Sequence, residues 1–368
     1  MISKYRNIAV TVIMAALLAA LSIWCWLKPA DDFSDSERRV LAQFPELSAE
    51  TLLSGEFMKD FETYTLDQFP ERDGFRTIKA LSELKLFGKK DNNDIYIADG
   101  YVSKLEYPMS EPMLQNAADK FRYIYETFMA GKRVKPYFSI VPDKNYFLAD
   151  KNGYLSMDYD KLVEFMTENT EYMEYIDIFP LLSIEDYYYT DTHWRQENIF
   201  DVADKIASEM GVTLGDEYEV NTLDIPFNGV YVGQSALPLE PDTIKYLMSE
   251  TLKNCTVTSY DTGMPVQVPV YNMEKAAGKD AYELFLSGNQ ALLVIENPNA
   301  KTDKELVVFR DSFGGSLIPL LTEGYAKITV VDIRYIQSGM IGGFVNFDDQ
   351  DVLFIYSTML LNSSTAFK

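Results

Sequence analysis

The stretch LVVFRDSFGGSLIPLL, residues 306–321, reads as a buried strand, a small glycine-rich turn and an apolar helix in direct succession. Four consecutive apolar residues, Leu306 to Phe309, suit a strand covered on both faces. Short apolar runs of the same kind recur at 134–141 (VKPYFSIV, closed by Pro142), 175–179, 292–295, 328–333 and 352–356. Helical patterns lie between several of them. The clearest is Ile199, Val202, Ala203, Ile206, Ala207 and Met210, whose spacing makes one apolar stripe along a helix. Strands alternating with helices predict an α/β domain layered about a mainly parallel sheet.

Working outward, residues 94–105 (DIYIADGYVSKL) alternate about an Asp99-Gly100 pair and predict a hairpin, and 113–130 predict a helix. The stretch 220–285 breaks the alternation: it is rich in Pro, Thr and Tyr with strand-like pieces, and reads as a β-rich insertion. Residues 8–27 (IAVTVIMAALLAALSIWCWL) carry no charge, and a 20-residue helix at 1.5 Å per residue spans a hydrocarbon core of about 30 Å. Lys4 and Arg6 precede this run, and Asp31 and Asp32 follow it after Lys28. The charge bias leaves the N-terminus in the cytoplasm and sends the remainder out, as a single-pass protein of the cell membrane with an extracellular main domain. A cleaved signal peptide is the competing reading, although Trp24-Cys25-Trp26-Leu27 offers no small-residue cleavage site. The expected organisation is a membrane anchor at 1–28, a helical membrane-proximal segment at 29–92 packing on the main domain, and an α/β domain at 93–368 with the insertion at about 220–285.

Composition narrows the function classes. Of 368 residues 47% are hydrophobic, enough for a large core. The net charge of -23 would repel a polyphosphate backbone, so nucleic acid is not an expected partner. Cys25 lies in the apolar run and Cys255 is the other cysteine, so no disulfide is possible within the main domain.

The chain has one histidine, His193, in YYYTDTHW at 187–194. Any mechanism that needs imidazole must use it, and multi-histidine metal sites are excluded; no metal or cofactor is expected. Asp191 stands two residues earlier, on the same face of an extended segment, where its carboxylate can take the Nδ1 proton and turn Nε2 outward as a base. Ser312 follows the strand 306–309, where a nucleophile would sit at the strand's carboxyl edge with the backbone N–H groups of Ser312 and Phe313 as oxyanion donors. Asp311 reads as a structural hydrogen-bonding residue.

Thr190-Asp191-x-His193-Trp194, Arg310-Asp311-Ser312-Phe313 and Val331-Asp332-Ile333-Arg334-Tyr335 together resemble the DHHW proteins of Gram-positive bacteria, relatives of the SGNH-hydrolase-like O-acetyltransferases of alginate and other exopolysaccharides. Asp67-Gln-Phe-Pro-x-Arg72, Val141-Pro-Asp-Lys144 and Asp280-x-Tyr282-x-x-Phe285-x-x-Gly288-Asn289 extend the resemblance over most of the chain beyond the anchor. Thr192 stands where the family name has a histidine. The resemblance implies a three-layer α/β/α domain of the SGNH kind and places the family's catalytic triad on Asp191, His193 and Ser312. Gly288-Asn289 resembles the glycine and asparagine that SGNH enzymes use as oxyanion donors, with Arg334 or Tyr335 lining the pocket; Asp67, Arg72 and Lys144 read as packing or capping residues. The implied activity is O-acetylation of a cell-surface polysaccharide through an acyl-Ser312 intermediate, with a membrane-bound O-acyltransferase bringing acetyl across the membrane. A carbohydrate esterase of the same fold is the alternative. A non-catalytic glycan-binding or assembly protein, using tyrosine clusters such as 187–189, is a rival from another class.

Overall fold

The computed structural model describes residues 2–215 and 217–368. They divide into two units, one formed by the chain up to Asn93 with Val232–Pro238, the other by Asp94–Tyr231 and Leu239–Lys368.

The first unit opens with helix α1 (Ile2–Leu27), whose stretch Lys4–Leu27 is long and apolar enough to cross a membrane and is not buried by other residues. It is a candidate membrane span or signal sequence. A short antiparallel pair, β1 (Phe33–Ser34) and β2 (Arg39–Val40), leads to helices α2 (Ala49–Ser54), α3 (Glu56–Asp67) and α4 (Arg72–Leu81). Asp67 ties these pieces together: Arg39 donates to both of its oxygens at 2.8 and 2.5 Å, and the Ala42 N–H adds a third bond at 2.9 Å. The hydrogen bonds from Arg39 hold the Asp67 carboxyl down at about 2 against the opposing effect of burial. Arg72 pairs with Glu37 at 2.5 Å, so both residues of the Asp67–Arg72 motif organise this unit.

In the second unit, β3 (Ile95–Ala98) and β4 (Tyr101–Lys104) form the expected hairpin. Its turn, Asp99-Gly100, has φ of 50° and 85°, the pair of positive values that a two-residue turn of this hand requires. The large sheet is built from β5 (Lys135–Val141), β6 (Glu174–Tyr175), β9 (Thr256–Ser259), β10 (Val266–Val268), β11 (Leu292–Glu296), β12 (Glu305–Arg310), β13 (Lys327–Val331) and β14 (Asp351–Ser357). Its eight strands lie in the order β10-β9-β11-β13-β12-β14-β5-β6. The run from β13 to β6 is parallel, while β11, β9 and β10 add an antiparallel edge. The stretch 220–285 therefore divides. Strands β7 (Glu219–Phe227) and β8 (Asp242–Met248) make a separate antiparallel pair, whereas β9 and β10 widen the main sheet.

Side-chain alternation along the central strands feeds two cores. Leu306, Val308, Leu353 and Ile355 point to one side with helices α8 (Phe200–Glu209) and α9 (Gly314–Leu321). Val307, Phe309, Val352 and Phe354 point to the other with α5 (Glu111–Ile124) and α7 (Tyr159–Asn169). A strand whose both faces are covered has no reason to alternate polar with apolar, which is why these strands read as continuous apolar runs. The result is three layers, helices on either side of a mostly parallel sheet.

Candidate functional site

Parallel α/β sheets place their ligand sites at the carboxyl ends of the strands, where loops and helix starts converge. Here the ends of β12, β13, β14 and β5 carry Asp311-Ser312, Asp332 to Arg334, Ser357-Thr358 and Asp143-Lys144. Asp311 fastens the turn after β12: one of its oxygens accepts the Phe313 N–H at 3.0 Å, the other the Ser357 N–H at 2.8 Å. Ser312 is thereby held between the end of β12 and the start of α9.

His193 Nε2 lies 2.7 Å from Ser312 Oγ, and its Nδ1 lies 2.6 Å from Asp191 Oδ1. Since a carboxylate only accepts, Nδ1 carries the proton and Nε2 is left as the acceptor facing the serine hydroxyl. Asp191 and His193 come together through a turn rather than an extended strand: Tyr187 bridges to Trp194, and the Tyr188 N–H donates to the His193 carbonyl at 3.1 Å. Within the turn, Asp191 Oδ1 also accepts the N–H of His193, the i to i+2 bond that Asp side chains favour. Its Oδ2 accepts the Val230 N–H at 2.8 Å. Burial alone would raise this carboxyl, but the charge and hydrogen bond of His193, with the N–H groups of Val230 and His193, bring it well below the ordinary carboxylate range.

The turn is itself anchored. Asp242, on β8, accepts the N–H groups of Tyr189 and Thr190 at 2.9 and 2.7 Å and the Thr190 hydroxyl at 2.6 Å. Gly229 passes so close that a Cβ there would lie 2.3 Å from the Thr190 carbonyl group, so only glycine fits. Tyr282 stacks its ring on the imidazole, with centroids 3.8 Å apart and planes 9° from parallel. Its hydroxyl meets Ser316 Oγ at 2.8 Å, and the Trp194 indole N–H donates to the same Oγ at 2.8 Å. His193 is thus held in plane by a hydrogen bond at each ring nitrogen and a ring on one face.

A pocket of about 140 Å³ opens beside Ser312 and His193, lined also by Tyr282, Phe285, Arg310 and Arg334. Gly288 and Asn289 line it as well, but the Gly288 N–H donates to the Phe285 carbonyl and the Gly288 carbonyl accepts from Arg310 at 2.9 Å. The Phe313 N–H is likewise committed to Asp311. Of the backbone donors expected for an oxyanion, the Ser312 N–H carries no hydrogen bond to any described residue, and the same holds for the Asn289 amide groups. Arg334 faces the pocket while chelating Asp332 through two guanidinium nitrogens at 2.9 and 2.6 Å. Tyr335 stands apart, 46% exposed, its ring 5.4 Å from the Arg334 guanidinium. Tyr282, Arg310 and Asp242 carry no assignment from sequence; Tyr282 and Arg310 lie in motifs quoted above, but Asp242 lies in no recognisable pattern. No group of three metal-ligating side chains occurs among the described residues.

An imidazole that accepts from a serine hydroxyl, backed by a buried carboxylate, can remove the hydroxyl proton as oxygen attacks a carbonyl carbon. No model of a known protein family matches the sequence, and no curated protein matches it. Among solved structures, a DHHW family protein from Eubacterium siraeum is similar over 75% of this chain and 94% of its own, with a TM-score of 0.59 and 22% identity. Bacillus cereus PatB1, solved with a sulfonyl adduct, is similar over 73% of this chain and 97% of its own, with a TM-score of 0.58 and 20% identity. At this identity the likeness is one of fold: the chain has the α/β fold of the SGNH-like DHHW proteins that its motifs resemble.

Proposed function

We propose that the chain is a serine-dependent acyltransferase that acetylates hydroxyl groups of a cell-surface polysaccharide. The observation that carries this reading is the continuous array from Asp191 through His193 to Ser312, with both hydrogen bonds at 2.6 to 2.7 Å. Ser312 Oγ attacks the acetyl carbonyl carbon as His193 Nε2 takes its proton. The tetrahedral oxyanion lies toward the Ser312 N–H and Asn289, and collapse gives acetyl-Ser312 as His193 returns the proton to the departing group. A sugar hydroxyl, deprotonated by the same imidazole, then attacks the acyl-enzyme and carries the acetyl away. The small pocket suits a short acyl chain, and Asp191 steadies the imidazolium at each step. A membrane-bound O-acyltransferase is the proposed acetyl donor, and the apolar N-terminal helix would hold the enzyme on the outer face of the cell membrane.

The test supplies purified protein with an acetyl donor, with and without candidate surface oligosaccharides, and measures acetylated sugar beside free acetate. Acetylated sugar that disappears in Ser312→Ala supports transfer. Free acetate alone, whatever acceptor is offered, makes the protein an esterase; oligosaccharide binding with no Ser312-dependent turnover makes it a binding or assembly protein. Protease added to intact cells should digest the main domain and spare the N-terminus.

A further inference from the structure

Lys144 is a buried charged group to which the reaction scheme gives no task. It opens helix α6 (Lys144–Asn152) directly after β5, at the same sheet edge as Ser312, and is 1% exposed. Its Nζ donates to three backbone carbonyls, those of Tyr188 at 2.8 Å, Tyr189 at 3.0 Å and Asp191 at 3.0 Å. The rings of Tyr101 and Tyr231 lie 5.6 and 5.4 Å from it. All three acceptors belong to the turn that carries the Asp191 carboxylate.

The count of donors matters. An ammonium has three N–H groups, and three carbonyl oxygens meet them. A neutral amine has two N–H groups and a lone pair, so losing the proton removes one bond and sets the lone pair against a carbonyl oxygen. The cage therefore matches the charged form. We propose that Lys144 is a positioning residue for the acyl transfer: its ammonium holds the 188–191 turn, and through it the Asp191 carboxylate, in the geometry that orients His193. This rests on the reading of Ser312 as the nucleophile, and adds a second protonation condition to it. Reaction needs His193 unprotonated and Lys144 protonated.

The surroundings give that condition a reachable pH. Burial is the largest influence and brings the ammonium down to about 7, opposed by the Asp191 and Asp242 carboxylates and assisted by the Arg195 guanidinium. Asp143, the preceding residue, turns its carboxylate away to Thr358, Tyr159 and the Asn145 N–H. Deprotonation thus releases the turn within the range in which enzymes are assayed.

The experiment measures the rate at which a sulfonyl fluoride labels Ser312 in the full chain, from about pH 5 to about pH 10, a span bracketing the lowered titration of Lys144. Wild type, Lys144→Met and Lys144→Arg are compared, with circular dichroism to establish folding and hydrogen exchange over residues 188–193. In wild type the rate should fall on the alkaline side as Lys144 loses its proton. Lys144→Met should fold, label about a hundredfold more slowly, the usual cost of a misplaced reacting group, and show no alkaline fall. Lys144→Arg stays charged and should also lack that fall. Labelling of Lys144→Met at the wild-type rate, or a wild-type profile without the fall, overturns the proposal. Should Lys144→Met not fold, an alkaline fall that persists in Lys144→Arg overturns it equally. If wild-type Ser312 does not label at all, the nucleophile reading fails instead. Exchange then decides for Lys144: the turn should loosen in alkali beyond intrinsic base catalysis, and an unchanged turn refutes the assignment.

Discussion

Replacing Asp191 by Asn tests the role proposed for its carboxylate, which accepts three hydrogen bonds where an amide cannot. Oδ1 takes the Nδ1–H and backbone N–H of His193, and Oδ2 takes the Val230 N–H. With its oxygen toward His193, the introduced amide would set its NH2 against the Val230 N–H; turned over, it would donate to Nδ1, move the ring proton to Nε2 and leave no acceptor for Ser312. Either way one buried donor loses its partner, which costs about 1–3 kcal/mol of stability. The imidazolium also loses its counter-charge, and the expected fall in Ser312 labelling is about a thousandfold, or about 4 kcal/mol of barrier. The assay pairs labelling rates with thermal unfolding across pH. Because the folded Asp191 carboxyl is held below its ordinary range, its contribution to stability is present above that range and lost as pH falls through the lowered value. The stability gap between wild type and Asp191→Asn should therefore close in acid. Labelling within about tenfold of wild type, with the fold intact, would refute an orienting and charge-balancing role for Asp191.

Ser312→Ala and His193→Ala should each abolish most turnover of an activated acetyl ester. The double variant should be little worse than either if the residues form the proposed triad, whose members act as a unit, and additive losses in steady-state kinetics would contradict that. Glu106 is 7% exposed, 3.4 Å from the Lys104 ammonium, and burial assisted by Asp143 pushes its carboxyl up to about 7. The folded state holds this proton more tightly, so the benefit is full below the ordinary 4.5 and is lost as pH rises through about 7, a swing of about 3 kcal/mol. Glu106→Gln should unfold at a higher temperature than wild type at about pH 8 and at a similar one near pH 4; equal melting at both would show that Glu106 is not strained by burial.

The strands that form the middle of the sheet were legible because burial on both faces leaves an unbroken apolar run, as at 306–309 and 352–356. The edges were not. Only Tyr175 of the run 175–179 lies in a strand, the two-residue β6, and beyond it the Asp177 side chain accepts the Phe179 N–H where the chain enters a single helical turn. Strand β9 hides among polar residues because a strand in the antiparallel part of the sheet needs only one buried face. At the site, residue type and uniqueness pointed to His193 and Ser312, 119 positions apart in sequence. The stacking of Tyr282 on His193, the grip of Asp242 on the turn and the three-carbonyl cage of Lys144 depend on which loops the sheet brings together, and no local pattern encodes that. The expected extension of residues 191–193 fails for a local reason, since Asp191 closes a turn on its own backbone two residues ahead.

Covalent capture of Ser312 tests the account at its centre. A sulfonyl fluoride, which reacts with an activated serine hydroxyl, is the reagent. The full chain is incubated with it and analysed by intact mass and peptide mapping. One sulfonyl group on Ser312, lost in Ser312→Ala and formed at a small fraction of the rate in His193→Ala, is the result this account predicts. An unmodified Ser312, or labelling that His193→Ala leaves unchanged, would contradict it.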